Sequence, residues 1–170
     1  HSFLDQILCQ SPLPYPPVAA QIKSPAYAQA MLSNMGGSVS EMCAVSLYFY
    51  NRLLSQEQQK IADIFSKMAV VEMHHLEIFG TLAHQMGADP RLWQRRAGRM
   101  LYWSPGYNDY PQELLPILQN SLKCEQLTIQ KYQDQAEEIS DENVVENLMR
   151  IILDEQVHAS ILKELIEQHS

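Results

Sequence analysis

Four glutamates in this sequence stand where helical periodicity calls for an apolar residue. In i+3 and i+4 steps, one segment reads Ile61, Phe65, Met68, Glu72, His75, Phe79, Leu82 and Met86. A later one reads Leu114, Leu118, Leu122, Glu125, Ile129, Tyr132 and Ala136, and the last reads Val144, Leu148, Ile151, Glu155, His158, Leu162 and Leu165. The first segment is less regular, with Met31, Glu41, Val45 and Tyr48 along one face. Each stripe marks the buried face of a helix and carries one carboxylate into it. A lone carboxylate in a core costs several kcal/mol or takes up a proton. Four together also repel one another. No Lys or Arg sits in the stripes at the level of these glutamates, so a fold that gathers them needs another source of positive charge.

Punctuation residues bound the helices. Ser24-Pro25 predicts an N-cap and a proline in the first turn, and the first helix is expected to run to about Leu54 with a kink or interruption at Gly36-Gly37. Ser55 and Gln58 have the spacing of a capping box for the second helix. Gly87 and Asp89-Pro90 end it. Residues 88–110 read as a long, aromatic-rich connection. The third helix is expected from Pro111 or Pro116 to about Glu138, and Ser140-Asp141 turns into the fourth. Short links join helices one and two, and three and four, while the middle link is long enough to travel the length of a bundle. This predicts an all-α, antiparallel four-helix bundle with one long crossover between helices two and three. Residues 24–170 form that domain. Residues 1–23 carry Pro12, Pro14, Pro16 and Pro17 and read as an extended N-terminal arm, packed on a neighbouring subunit or on its own bundle.

The spacing of the histidines suggests what offsets the acid. Glu72-x-x-His75 and Glu155-x-x-His158 each put a carboxylate and an imidazole on one helix face, one turn apart. With 13 Glu and 6 His in the chain, chance alone gives roughly 0.5 such pairs, so two on apolar stripes form a pattern. The pattern also repeats. Glu41, Glu72 and His75 precede Glu125, Glu155 and His158 by 84, 83 and 83 residues, and Tyr48 and Tyr132 each follow the single Glu of their helix by seven. One Glu from each of two helices plus Glu-x-x-His from each of the other two is the pattern of a di-metal carboxylate site. The expected ligands are Glu41, Glu72, His75, Glu125, Glu155 and His158. Two divalent ions balance four carboxylates. The other reading of the six is a buried polar network without metal. Tyr48 and Tyr132 either hydrogen-bond ligand carboxylates or pack as core tyrosines. Asp154 either reaches a histidine across the bundle, His75 being the candidate, or faces solvent. His74, His84 and Glu77 point off the stripe and are not expected as ligands.

Composition excludes other classes. The net charge is −8 and the only basic run is Arg95-Arg96, which argues against nucleic acid or an anionic membrane as partner. No uncharged stretch has the apolar density of a membrane span. The 3 cysteines contain no C-x-x-C pair, so no disulfide framework is implied and a reducing, cytoplasmic setting is expected. His1 is not read functionally.

At this point the residues resemble the ferritin-like superfamily, and within it the manganese-catalase and rubrerythrin-like branch. The likeness covers the chain after the arm. It is carried by Tyr15-Pro16-Pro17, Gly36-Gly37-Ser38-Val39-Ser40-Glu41, Val71 to Glu77 and Ile152 to His158. The resemblance implies two Mn or Fe ions per chain, with Glu41, Glu72, His75, Glu125 and His158 as direct ligands and one carboxylate of the second helix as a bridge. Glu155 is a ligand in di-iron relatives and stands just outside the shell in manganese catalases. The implied activity is an oxidoreductase acting on hydrogen peroxide or dioxygen, with catalase-like disproportionation as the lead and Glu155, Tyr48 and Tyr132 as candidate catalytic residues. The alternatives are a rubrerythrin-like di-iron peroxidase or oxidase fed by a separate electron donor, and an iron-storage or structural coat-like protein. A homo-oligomer, dimer or larger, is expected. Two departures stand out: there is no C-x-x-C electron-transfer module, and Cys124 precedes Glu125 where the resemblance leads one to expect a basic residue.

Overall fold

The computed structural model describes residues 8–170; His1 and the start of the arm lie outside them. The first helical segment is interrupted rather than kinked, giving α1 (Pro25–Gly36) and α2 (Glu41–Leu54). Ser24 caps α1 by accepting from the Tyr27 N–H, and Pro25 occupies the first turn. The break comes at the paired glycines because other backbone passes close by. A Cβ on Gly36 would lie 3.0 Å from the Leu92 main chain, and one on Gly37 would lie 2.7 Å from the Ser33 carbonyl. Ser40 then restarts the helix by accepting from the Cys43 N–H.

The capping box expected at Ser55 does not form. Ser55 instead closes α2, its N–H donating to the Arg52 carbonyl, and its carbonyl accepts from the Gln58 N–H in the turn. α3 (Gln59–Gln85) starts from Gln58 without a side-chain cap and ends before Gly87, whose φ of +92° suits glycine. The connection after it holds an unexpected feature, an antiparallel hairpin of β1 (Trp93–Arg96) and β2 (Arg99–Tyr102). Ala97 and Gly98, both at positive φ, form its turn. The hairpin packs on α1. α4 (Leu114–Glu138) then pairs with α5 (Glu142–His169), whose N-terminus Asp141 caps through the N–H groups of Asn143 and Val144.

Helix pairs α2–α3 and α4–α5 make the four-helix bundle, with α1 lying against α3. The buried stripes divide into two apolar clusters. One gathers Met31, Phe79, Leu82, Leu148 and Ile151; the other gathers Leu47, Phe65, Met68, Leu118 and Leu162. The acidic layer belongs to α2–α5 at the level between them. Arm residues 8–23 contain no helix or strand and run along their own bundle. Among the described residues no helix is long and apolar enough to cross a membrane, and all three cysteines are free.

Candidate metal centre

All six predicted residues converge. Glu41 from α2, Glu72 and His75 from α3, Glu125 from α4, and Glu155 and His158 from α5 are each at most 2 % exposed. They form two overlapping groups of donor atoms. Glu41, Glu72, His75 and Glu155 make one; Glu72, Glu125, Glu155 and His158 make the other, with the donor atoms of each within 4.8 Å of one another. Glu72 and Glu155, related by the internal repeat, belong to both groups. Glu155 therefore stands inside the cluster with the other five.

Both histidines turn Nδ1 inward. His75 Nδ1 lies 3.0 Å from Glu72, 3.1 Å from Glu155 and 3.5 Å from Glu41. His158 Nδ1 lies 3.3 Å from Glu125. Their outward nitrogens are held differently. His75 Nε2 is 2.7 Å from Asp154, whereas His158 Nε2 is 2.6 Å from the backbone carbonyl of Cys9. Asp154 thus reaches His75 across the bundle and is fully buried. The two tyrosines also cross between halves: Tyr48 of α2 donates to Glu125 of α4, and Tyr132 of α4 donates to Glu41 of α2. His74 and His84 face outward, His74 packing edge-on against Tyr15.

Proton affinities show the strain of packing this acid together. Burial, reinforced by Glu41 and Glu125, raises Glu72 to about 8. Burial and the neighbouring carboxylates push Glu155 well above its ordinary range. Glu125 moves the other way: burial opposes its ionisation, but the His158 charge and the hydrogen bonds it receives bring it below the usual value. Both histidines are also depressed by burial, yet the carboxylates around them win and hold them above their usual value. Without metal, protons supply the missing positive charge.

Two cations stand near the acid, and both bond other groups. Arg150 is buried but pairs with Asp154 at 2.6 Å. Lys131, brought down to about 8 by burial, donates to the Ser33 and Val39 carbonyls at the α1–α2 break. Buried polar atoms without a well-formed hydrogen bond concentrate at the centre: Glu41 Oε2, both oxygens of Glu72 and of Glu155, Glu125 Oε2 and His75 Nδ1. Of these, Glu41 Oε2, Glu72 Oε1 and Glu155 Oε1 meet His75 Nδ1 in close ion-pair contacts. Buried groups of this kind are normally hydrogen-bonded. An oxygen-rich shell with one imidazole per group suits Mn or Fe, so the residues present fit a metal cluster.

Sequence reasoning missed the outer partners Arg150, Ser11, Tyr15 and the Cys9 carbonyl. Arg150 had a local signal, its position four residues before Asp154 on one helix face. A main-chain carbonyl on an extended arm leaves none. It also missed a cavity of about 140 Å³ between α2 and α4, which reaches Tyr48 and Glu125 and is lined by Cys43, Asn108, Lys123 and Cys124.

No curated protein sequence matches this chain. Two crystal structures of KatB, a manganese catalase from Anabaena, align with it at a TM-score of 0.80, with 19% sequence identity over 95% of this chain and 80% of theirs. That likeness establishes a shared ferritin-like fold. The family model for rubrerythrin matches residues 38–166, which takes in all six clustered residues and most of the chain. The chain belongs to the rubrerythrin family.

Proposed function

We propose that this protein is a di-metal oxidoreductase acting on hydrogen peroxide, with two Mn or Fe ions held by Glu41, Glu72, His75, Glu125, Glu155 and His158. The observation that carries the reading is the pair of overlapping donor groups sharing Glu72 and Glu155. Two Mn or Fe ions would supply a two-electron couple, with Glu72 and Glu155 the residues common to both donor groups. Disproportionation needs no further reductant: two peroxides become one dioxygen and two waters. This accords with a structural relative that is a manganese catalase.

The protein's part is to bind, orient and move protons. The cavity between α2 and α4 admits a small, polar substrate as far as Tyr48 and Glu125. Tyr48 and Tyr132 hold hydrogen-bonded protons against Glu125 and Glu41. Glu155, at the junction of the two groups, would carry a proton only on releasing a metal. The apolar clusters on either side exclude bulk water.

A second reading has its own support. Glu155 inside both groups matches a four-carboxylate di-iron site, for which a separate donor supplies electrons for peroxide reduction. One experiment separates them. Protein loaded with Mn(II) or Fe(II) is given peroxide with and without a reductant. Oxygen release without reductant supports disproportionation; peroxide loss that needs reductant and releases no oxygen supports the peroxidase. Inactivity with both metals overturns the peroxide reading.

A further inference from the structure

The two halves of the centre differ in how they hold their histidines. Asp154, just before Glu155, accepts from His75 Nε2 at 2.7 Å. The corresponding position just before Glu72 is Val71, which is apolar and buried. The internal repeat therefore provides no carboxylate for His158. The N-terminal arm provides the acceptor instead, the Cys9 carbonyl at 2.6 Å from Nε2. The same arm reaches the His75 side. The Ser11 N–H donates to Asp154 Oδ1 at 2.7 Å, and the Tyr15 hydroxyl donates to Asp154 Oδ2.

Further contacts make this a fitted seat. Arg150 donates to the carbonyls of Leu13 and Ser11, both at 3.0 Å, while bonding Asp154 and lying 3.8 Å over the Tyr15 ring. Further along, Gln85 clips the arm as a backbone strand would, donating to the Val18 carbonyl and accepting from the Ala20 N–H, each at 2.8 Å.

We propose that the arm from Cys9 to Tyr15 is an integral part of the metal centre, in which the Cys9 carbonyl and the Tyr15 hydroxyl position the two histidine ligands so that arm docking and metal binding strengthen each other. The proposal rests on the di-metal reading above. The outward hydrogen bond of a metal-binding histidine fixes its tautomer and ring orientation, and losing it typically weakens metal binding about 10- to 100-fold. An undocked arm leaves His158 free to rotate and removes two of the donors that hold Asp154. Linkage makes the effect reciprocal: metal binding must hold the arm down by the factor that the docked arm gains for the metal.

Cys9 provides a native probe, because it is 5 % exposed with the arm in place. Alkylation of the chain by iodoacetamide, mapped residue by residue by mass spectrometry, reads arm lifting at Cys9, with Cys43, which lines the cavity between α2 and α4, as the internal reference. In metal-free protein Cys9 is expected to react faster than Cys43. Mn(II) is expected to slow Cys9 by about tenfold or more and to slow it more than Cys43. Tyr15→Phe keeps the ring over Arg150 and is expected to weaken Mn(II) about tenfold in chelator competition. Gln85→Ala, which touches none of the six, is expected to speed Cys9 labelling and weaken Mn(II) in parallel. Cys9 reacting equally fast with and without bound Mn(II), Cys9 and Cys43 always moving together, or a Gln85→Ala chain with a loose arm and unchanged affinity would each overturn the proposal. Failure of the unaltered chain to bind Mn(II) or Fe(II) at all overturns the di-metal reading, and this proposal with it.

Discussion

Tyr132 donates a 2.7 Å hydrogen bond to Glu41, a residue of the opposite helical hairpin. Its counterpart Tyr48 donates to Glu125 in the opposite sense. Each half of the repeat thus supplies a proton donor to the unpaired glutamate of the other. The hairpins are tied through the site as well as through apolar packing. Both hydroxyls hold their protons far above the ordinary tyrosine value, because they are buried and lie against carboxylates.

Tyr132→Phe removes this donor without changing ring packing against Phe79. A hydrogen bond to a charged group contributes about 1.5–3 kcal/mol, and the Tyr132→Phe protein is expected to lose stability of that order. Glu41 Oε2 has only the longer contact with His75 Nδ1 at 3.5 Å, so the carboxylate loses its short side-chain hydrogen bond and metal affinity should fall. Thermal melts of the metal-free protein and Mn(II) titration against a chelator check the two effects. Unchanged values for both would show the hydroxyl to be idle.

Asp154→Asn should be more severe than its small change suggests. Asp154 is held below the ordinary carboxylate range despite burial, by its bonds to His75 and Tyr15 and by the His75 charge and Arg150. The amide leaves Arg150 buried without its anion, a loss of about 3–5 kcal/mol for a broken buried pair. It also allows His75 to turn. Metal affinity is expected to drop about 10- to 100-fold. A chain that melts lower yet binds Mn(II) normally would assign Asp154 to folding alone.

The metal-free protein should lose stability as pH rises through neutrality. Glu72 titrates near 8 in the fold, above its unfolded value, and burial with the neighbouring carboxylates raises Glu155 as well. The folded state therefore binds more protons than the unfolded chain between the ordinary carboxylate range and about 8, and stability falls with pH across that window. The raised histidines act in the same direction, since their contribution is present at low pH and is lost as pH passes their folded values. Asp154 and Glu125, held low, oppose this only in acid, where their contribution is lost as pH falls. Metal must displace these protons, so the gain in melting temperature on adding Mn(II) should grow from pH 5 to 8. Denaturant melts across that range, with and without metal, check the sign.

The six residues were legible because helices α3, α4 and α5 impose a period that a glutamate visibly breaks, and because the halves repeat. The same repeat singled out Tyr48 and Tyr132, but not that each bonds the glutamate of the other half. The arm was readable as extended from its prolines, but its destination was not. Cys9 acts through a backbone carbonyl, which every residue has, and an extended chain shows no period to indicate the face it lies on. The β1–β2 hairpin was hidden for another reason. Its strands are four residues each, and its turn uses Ala97-Gly98 in place of the more telling Asn-Gly. Ser55 illustrates a competition between neighbours: its spacing to Gln58 suits a helix start, but its N–H is taken by the end of α2.

Two glycines provide a last contrast, because they resist substitution for different reasons. Gly87 has φ of +92° and open space around it, so Gly87→Ala suffers only backbone strain, about 1–2 kcal/mol. Gly37 has φ of −80°, which alanine adopts freely. Its obstacle is steric: a Cβ there would sit 2.7 Å from the Ser33 carbonyl and 2.9 Å from Gln94 Oε1. The break cannot simply open, because Lys131 ties Ser33 to Val39 across it. Overpacking of this kind costs about 1–3 kcal/mol, so both alanine substitutions should lower the melting temperature by comparable amounts. They should differ at the metal. Gly37 lies four residues before Glu41, and any shift of the break moves the Ser40 cap and the glutamate that follows it. Mn(II) affinity is therefore expected to fall in Gly37→Ala and to hold in Gly87→Ala, and equal affinities in the two would show that the paired-glycine break does not position Glu41.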